Sequence, residues 1–166
     1  MKISNITHQH DQQIASIIRQ SLEQASLNLP GTAYCDPQLD SLSQYYKHKE
    51  NSQYWVLVND TGKVCGGVGV GHLDQTHAEL QKLYLAPEAL GQGWGEKLIL
   101  HAINYAKKHY DYLYLETFAS LKAANHLYQK LGFEQLTEPS IFSEHSACDT
   151  WFIKKLTKGE RDDTFN

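Results

Sequence analysis

Between Leu90 and Lys97 the chain reads Leu-Gly-Gln-Gly-Trp-Gly-Glu-Lys, directly ahead of an amphipathic stretch. Glycines let the backbone approach a ligand closely and turn its N–H groups inward. A helix N-terminus adds unsatisfied donors and partial positive charge, so the two together make an anion site whose natural occupant is a pyrophosphate. The bland alternative is a flexible turn. A Walker loop would continue with Gly-Lys-Ser/Thr, which Gly95-Glu96-Lys97-Leu98 does not supply. A dinucleotide fingerprint should open the first βαβ unit, with an acidic residue at the end of the next strand. Glu116 stands close to that place, but the loop begins past mid-chain and leaves too little sequence for a doubly wound sheet.

The other reactive residue types are less organised. Nine histidines are present, and the closest sets (His8 and His10, His72 and His77, His101 and His109) lack a metal-ligand spacing, so no metal is expected. Three cysteines, Cys35, Cys65 and Cys148, are odd in number and form no Cys-x-x-Cys pair. That argues against a disulfide framework or a zinc site and suits a reducing cytoplasm. Cys35 has no histidine near it in the sequence, so a covalent acyl-enzyme on this residue is not expected.

The elements that must position the glycine loop follow from periodicity. Residues 2–7 alternate like a strand, and Ile14, Ile17, Ile18 and Leu22 then form a helical stripe with Asp11 as its cap. Residues 29–37 are a loop by their turn residues, and a second helix is expected over 38–47. Residues 54–59 and 64–73 form an antiparallel pair whose glycines, among them Gly67, Gly69 and Gly71, weaken a strand unless another backbone comes close. Residues 78–85 are the next strand. Here Leu80 is apolar on even parity while Leu83 and Leu85 are apolar on odd parity. A regular strand cannot face all three one way, so either both faces are buried or a bulge near Gln81–Lys82 switches the register. Helices over 93–109 and 121–131, the latter stopped by Gly132, alternate with strands at 112–117, 133–136 and 150–156. The order implies a mixed α/β sheet, with helices on both faces.

The stretch from Ala78 to Phe133, AELQKLYLAPEALGQGWGEKLI followed by NHLYQKLGF, resembles the central motifs of the GNAT superfamily of N-acetyltransferases. Leu90-Gly91-Gln92-Gly93-Trp94-Gly95 stands where members carry a Gln/Arg-x-x-Gly-x-Gly/Ala loop, and Asn125 through Phe133 matches an Asn-x-x-Tyr…Gly-Phe helix. Leu90 departs from the usual Gln or Arg, removing one side chain near the phosphates, with Gln92 or Lys97 placed to compensate. The resemblance implies a mostly antiparallel sheet of six or seven strands flanked by about four helices, as one domain over 1–156 with a polar tail at 157–166. It implies direct transfer of acetyl from acetyl-CoA to an amine of a small molecule or peptide in a ternary complex, with CoA as product. A catalytically inactive CoA-binding sensor of the same fold is the alternative.

On the same resemblance, Leu83, Tyr84 and Leu85 pair with the pantetheine arm, and Leu90 through Lys97 (Leu90, Gly91, Gln92, Gly93, Trp94, Gly95, Glu96, Lys97) hold the pyrophosphate. Asn125 contacts the arm and Tyr128 lies near its sulfur. An alkylamine of pKa ~10.4 is neutral in only roughly one molecule in 2,500 at pH 7, so a general base is useful. Glu79 matches the glutamate that many relatives carry on this strand, and Glu116 is the rival base. Tyr128, of pKa ~10, suits protonation of the departing thiolate. The first two helices and their loop imply an acceptor pocket in which Tyr34 and Asp36 meet a cationic amine, with His72 and the region 141–149 lining its mouth.

Composition sets outer bounds. A chain of 166 residues that is 41% hydrophobic and 20% charged is long enough for one globular domain with a real core. A formal charge of −4 without a basic stretch makes nucleic acid a poor partner, and no apolar run approaches the ~20 residues of a membrane span. The first residues contain no apolar segment of a secretory signal, so a cytoplasmic location is expected. The resemblance also implies homodimers formed through exposed sheet edges or C-terminal strands.

Overall fold

The computed structural model describes residues 1–141 and 143–157. Seven strands form one sheet in the order β1-β2-β3-β4-β5-β7-β6. They are β1 (Lys2–Asn5), β2 (Gln53–Val58), β3 (Val64–His72), β4 (His77–Leu85), β5 (Tyr112–Thr117), β6 (Glu134–Leu136) and β7 (Thr150–Lys155). All neighbours are antiparallel except β4 and β5, which are joined by a crossover through helix α3 (Trp94–Ala106). This is the mixed sheet expected from the element order, and of the polar tail expected over 157–166, residues 158–166 lie outside the described residues.

Each face of the sheet is covered. Helix α1 (Asp11–Gln24) presents Ile14, Ile17, Ile18 and Leu22, and with α2 (Leu42–Lys47) it packs on Tyr54, Val56 and Val58 of β2. The alternate β2 residue Trp55 faces α3, whose Leu98, Ile99, Ala102 and Ile103 pack with Val68, Val70, Leu113 and Leu115. Tyr128 of α4 (Lys122–Lys130) belongs to that second core. Period 2 in the strands and period 3.6 in the helices thus meet on both surfaces.

Two local readings change. The helix expected over 38–47 is a short 3-10 turn at Leu39–Ser41 followed by α2. Asp11 does not cap its own helix. It is buried as the first residue of α1, and its carboxylate accepts from the Ser43 backbone N–H (2.9 Å) and hydroxyl (2.6 Å). The Ser43 N–H is one of the orphan donors at the start of α2, so Asp11 satisfies that helix from outside.

The bulge in β4 is present. Gly67 pairs with Tyr84 and Gly69 with Gln81, so Lys82 and Leu83 together stand opposite Val68. Lys82 takes the strain with φ +49, and Leu80, Leu83 and Leu85 consequently all pack toward the α3 core. The glycines of β3 admit both neighbouring backbone and side chains: a Cβ on Gly66 would lie 2.6 Å from the Tyr84 carbonyl oxygen and one on Gly67 2.7 Å from that of Trp55. A Cβ on Gly67 would lie 2.6 Å from the Tyr54 ring, and one on Gly69 would lie 2.6 Å from the Tyr46 hydroxyl. A Cβ on Gly71 would meet the Gln81 side chain at 2.5 Å. The three glycines form a furrow in which side chains lie flat across β3 toward the bulge.

Candidate functional site

Pairing of β4 with β5 ends at Glu79 and Tyr114. Beyond that point the strands part, and a cavity of about 90 Å³ opens between them. At ~30 Å³ per water that space suits a small polar group. Its walls come from Glu79 to Tyr84 on β4, Leu115 to Thr117 on β5, Tyr128 on α4, and His145 and Cys148 from the segment between β6 and β7.

Glu79 is 6% exposed on the α1 side of β4. Gln81 Nε2 donates to its Oε1 at 3.0 Å, and the Tyr46 hydroxyl donates to Gln81 Oε1 at 2.5 Å. The furrow therefore fixes the carboxylate through the half-buried Gln81 and the buried Tyr46. Burial raises the Glu79 pKa to about 7, against the opposing hydrogen bond from Gln81, with the Glu116 charge adding to the rise. Such a group changes protonation near neutrality, which suits a general base. Glu116 is spent differently: its oxygens accept from Tyr114, from the Ser143 hydroxyl and from the Glu144 backbone N–H. The segment after β6 thus closes over Glu116 and leaves Glu79 as the less committed carboxylate.

Tyr128 is 7% exposed, packed against Phe133 and Phe152, and its hydroxyl has no hydrogen-bond partner among the described residues. Burial holds its phenol well above the usual tyrosine range, so the proton stays on the oxygen at neutral pH. Asn125 begins one turn earlier on the same helix. Its Nδ2 donates to the Phe118 carbonyl at 2.9 Å, while its Oδ1 is buried without a partner. Gly132 ends the helix at φ +88, letting the Phe133 N–H reach the Tyr128 carbonyl at 3.0 Å.

The glycine loop reaches α3 through left-handed Gly91 (φ +71) and Gly93 (φ +81), where an added Cβ would meet nothing within 4 Å. The first intrahelical bond runs from Lys97 N–H to the Gly93 carbonyl at 3.2 Å, leaving the N–H groups of Trp94, Gly95 and Glu96 open. Gln92 donates to the Glu88 carbonyl, Lys97 lies 4.3 Å over the Trp94 ring, and Glu96 pairs with Lys130. Leu90 is 58% exposed at the loop's start. The orphaned Asn125 acceptor, the unpaired edge of Leu83, Tyr84 and Leu85, and these open N–H groups fit the amides and pyrophosphate of coenzyme A.

The residues expected to meet the acceptor are dispersed. Asp36 stands behind two cleft-lining residues, its Oδ2 accepting from Lys82 Nζ at 2.5 Å and both oxygens meeting His145 Nε2, at 3.1 and 3.2 Å. Although burial opposes it, His145 and Lys82 hold the Asp36 carboxyl below its usual range. Tyr34 instead donates to Glu23 at 2.8 Å. His72 bonds the Tyr110 hydroxyl at 2.9 Å at the far end of β3 and does not line the cavity. Sequence reasoning missed Tyr46, Gln81 and Lys82 as site residues and reached His145 and Cys148, which do line the cleft, only as part of the region 141–149. The bulge parity pointed at Gln81 and Lys82, but contacts between segments as distant as Asp36 and His145 leave no local signal. Burial pushes the Cys148 thiol up to about 12, so it lines the cleft as an uncharged group.

No helix among the described residues is long and apolar enough to cross a membrane, and no group of three or more His, Cys, Asp or Glu among them could hold a metal ion. The sequence matches the acetyltransferase (GNAT) family over residues 19–133. It is 36% identical over 156 residues to YjgM, an uncharacterized N-acetyltransferase of Escherichia coli (strain K12), covering 91% of this chain and 92% of that protein. Among solved structures, a GNAT-family acetyltransferase from Staphylococcus aureus Mu50 superposes with a TM-score of 0.82 at 21% identity, covering 94% of this chain and 99% of that one. PaiA N-acetyltransferase from Thermoplasma acidophilum, solved with coenzyme A, gives 0.72 at 18% identity over 93% and 98% of the two chains.

Proposed function

This chain belongs to the acetyltransferase (GNAT) family, and on that premise we propose that residues 1–156 form one catalytic domain that moves acetyl from acetyl-CoA directly onto an amine. Acetyl-CoA supplies the activated acetyl thioester. Leu83, Tyr84 and Leu85 offer the open β4 edge to its pantetheine arm, Asn125 Oδ1 accepts from an amide of that arm, and residues 90–97 receive the pyrophosphate on backbone N–H groups. The acceptor amine enters between Glu79 and the segment after β6.

Glu79 carries the reading. A carboxylate that is 6% exposed, lines the cleft and has a pKa raised to about 7 can take a proton from an ammonium or from the attacking nitrogen. Tyr128 holds a proton on its phenol oxygen at the other wall, available to a leaving thiolate. Backbone N–H groups at the bulge are the donors for developing negative charge on the carbonyl oxygen. A ternary-complex order is supported by Cys35 lying outside the cleft lining and by burial holding the Cys148 thiol protonated.

The test is CoA-thiol release from acetyl-CoA over an amine panel, alongside thermal shifts with acetyl-CoA, CoA, NAD and ATP. At 100 times Kd a specific ligand stabilises by about 2.7 kcal/mol. Amine-dependent release is the expected result. Stabilisation by acetyl-CoA with no release from any amine would favour the inactive CoA-binding module, and stabilisation by a nucleotide alone would overturn the assignment of the loop. We further propose a cytoplasmic homodimer. Sedimentation with and without acetyl-CoA tests its assembly.

A further inference from the structure

We propose that the acceptor is an amino acid, a primary amine that also carries a carboxylate, and that Lys82 and His145 bind this carboxylate. The inference rests on the acetyltransferase reading and adds the chemical class of its acceptor.

Lys82 is the starting point. Its ammonium has three N–H donors, its side chain is 4% exposed, and among the described residues its one recorded acceptor is Asp36 Oδ2 at 2.5 Å. Buried charge with unspent donors is costly until an acceptor arrives. Lys82 also lines the cleft, which is where such an acceptor can come from. Nor is the lysine there to suit the backbone. At φ +49 a residue with a Cβ costs roughly 1 kcal/mol more than glycine, so the backbone conformation does not itself favour a lysine here.

His145 joins it from the segment between β6 and β7. One carboxylate, Asp36, holds both cations, with Lys82 at 2.5 Å and His145 at 3.1 and 3.2 Å. The hydrogen bond to Asp36 raises the His145 pKa against the opposing effect of burial, favouring imidazolium. With His145 protonated, the three groups carry one net positive charge beside the cavity. The same cavity is lined by Glu79 and Glu116, which favour an ammonium. A ligand carrying both charges satisfies the two sides together. A simple alkylamine leaves the Lys82 donors unmet, and a polyamine in addition places a second cation against Lys82 and His145.

The experiment compares matched acceptors on the full chain: α- and ω-amino acids, their carboxamides and the corresponding decarboxylated amines. CoA-thiol release gives kcat/KM, and calorimetry gives binding of the same compounds to the CoA-loaded protein. Amino acids are expected to exceed their carboxamides by roughly 10- to 100-fold in both, the span of a charge-assisted hydrogen bond. Lys82→Met should narrow that ratio to within about threefold, and His145→Gln should narrow it partially, each variant retaining its thermal shift with acetyl-CoA as proof of folding. Wild-type protein that uses carboxamides or decarboxylated amines as well as the amino acids would overturn the acceptor class and leave the acetyltransferase reading standing. Thiol release from no acceptor at all would overturn that reading, and the acceptor class with it.

Discussion

The Tyr54 hydroxyl donates a 2.8 Å hydrogen bond to the carbonyl oxygen of Lys82, across the width of β3. Tyr54 is fully buried on β2, and its ring lies over Gly67 and Gly69, so the residue that closes one strand pair sets the bulge in a strand beyond its neighbour. The bulge in turn aims Lys82 into the cleft and faces Leu83 and Leu85 away from Glu79.

Tyr54→Phe keeps the ring and removes the donor, leaving a part-buried carbonyl unpaired at the bulge. Its stability should fall by about 1–3 kcal/mol in urea unfolding. KM for acetyl-CoA should rise as well, because the β4 edge loses its anchor. A variant with wild-type stability and wild-type KM would show that the bulge holds without Tyr54.

The bulge was legible in the sequence as one of two readings because parity is a local property: Leu80 against Leu83 and Leu85 calls for either two buried faces or a register change. The helix stripes, the Gly132 stop and the glycine loop were legible for the same reason, since each is written within about two turns of chain. The acceptor side was not. Asp36 meets His145 across 109 positions and Lys82 across 46, and no periodicity links them. Tyr34 and His72 carried suitable chemistry but had nearer partners in Glu23 and Tyr110. The β3 glycines gave a true sign of close approach, by backbone at Gly66 and Gly67 as expected, but not of the Tyr54, Tyr46 and Gln81 side chains that also lie across Gly67, Gly69 and Gly71.

Gly69→Ala tests the furrow. The added Cβ would sit 2.6 Å from the Tyr46 hydroxyl and 2.8 Å from the Tyr54 ring, so both must move. Overpacking of this kind costs about 1–3 kcal/mol. Displacing Tyr46 also withdraws the 2.5 Å bond to Gln81 that orients Glu79, so kcat should fall by more than stability alone explains. The check is kcat well below the melting temperature, where the folded fraction is complete.

As the proposed base, Glu79 would set the pH dependence. Its pKa is raised from 4.5 to about 7, so kcat/KM should climb through an acidic limb with its inflection near pH 7 and lose that limb in Glu79→Gln. The same shift acts on folding. The folded chain holds a proton that the unfolded chain has lost, so this group's stabilisation is full below pH 4.5 and disappears as pH rises through about 7. Glu79→Gln should therefore gain melting temperature relative to wild type at pH 8 and show less advantage at pH 5. An unchanged difference between those pH values would mean that Glu79 titrates normally in the folded protein.

Tyr128→Phe separates the phenol's chemistry from its packing. The ring contacts with Phe133 and Phe152 survive the substitution, and no hydrogen bond to a described residue is lost, so stability should change by less than about 0.5 kcal/mol. Loss of a general acid costs roughly 10²- to 10⁴-fold in rate, so kcat should drop by that order while the thermal shift with acetyl-CoA persists. The drop should shrink for a thioester whose leaving thiol is more acidic than CoA, because such a sulfur departs without a proton. An equal loss with both thioesters would place Tyr128 among the residues that merely shape the cleft.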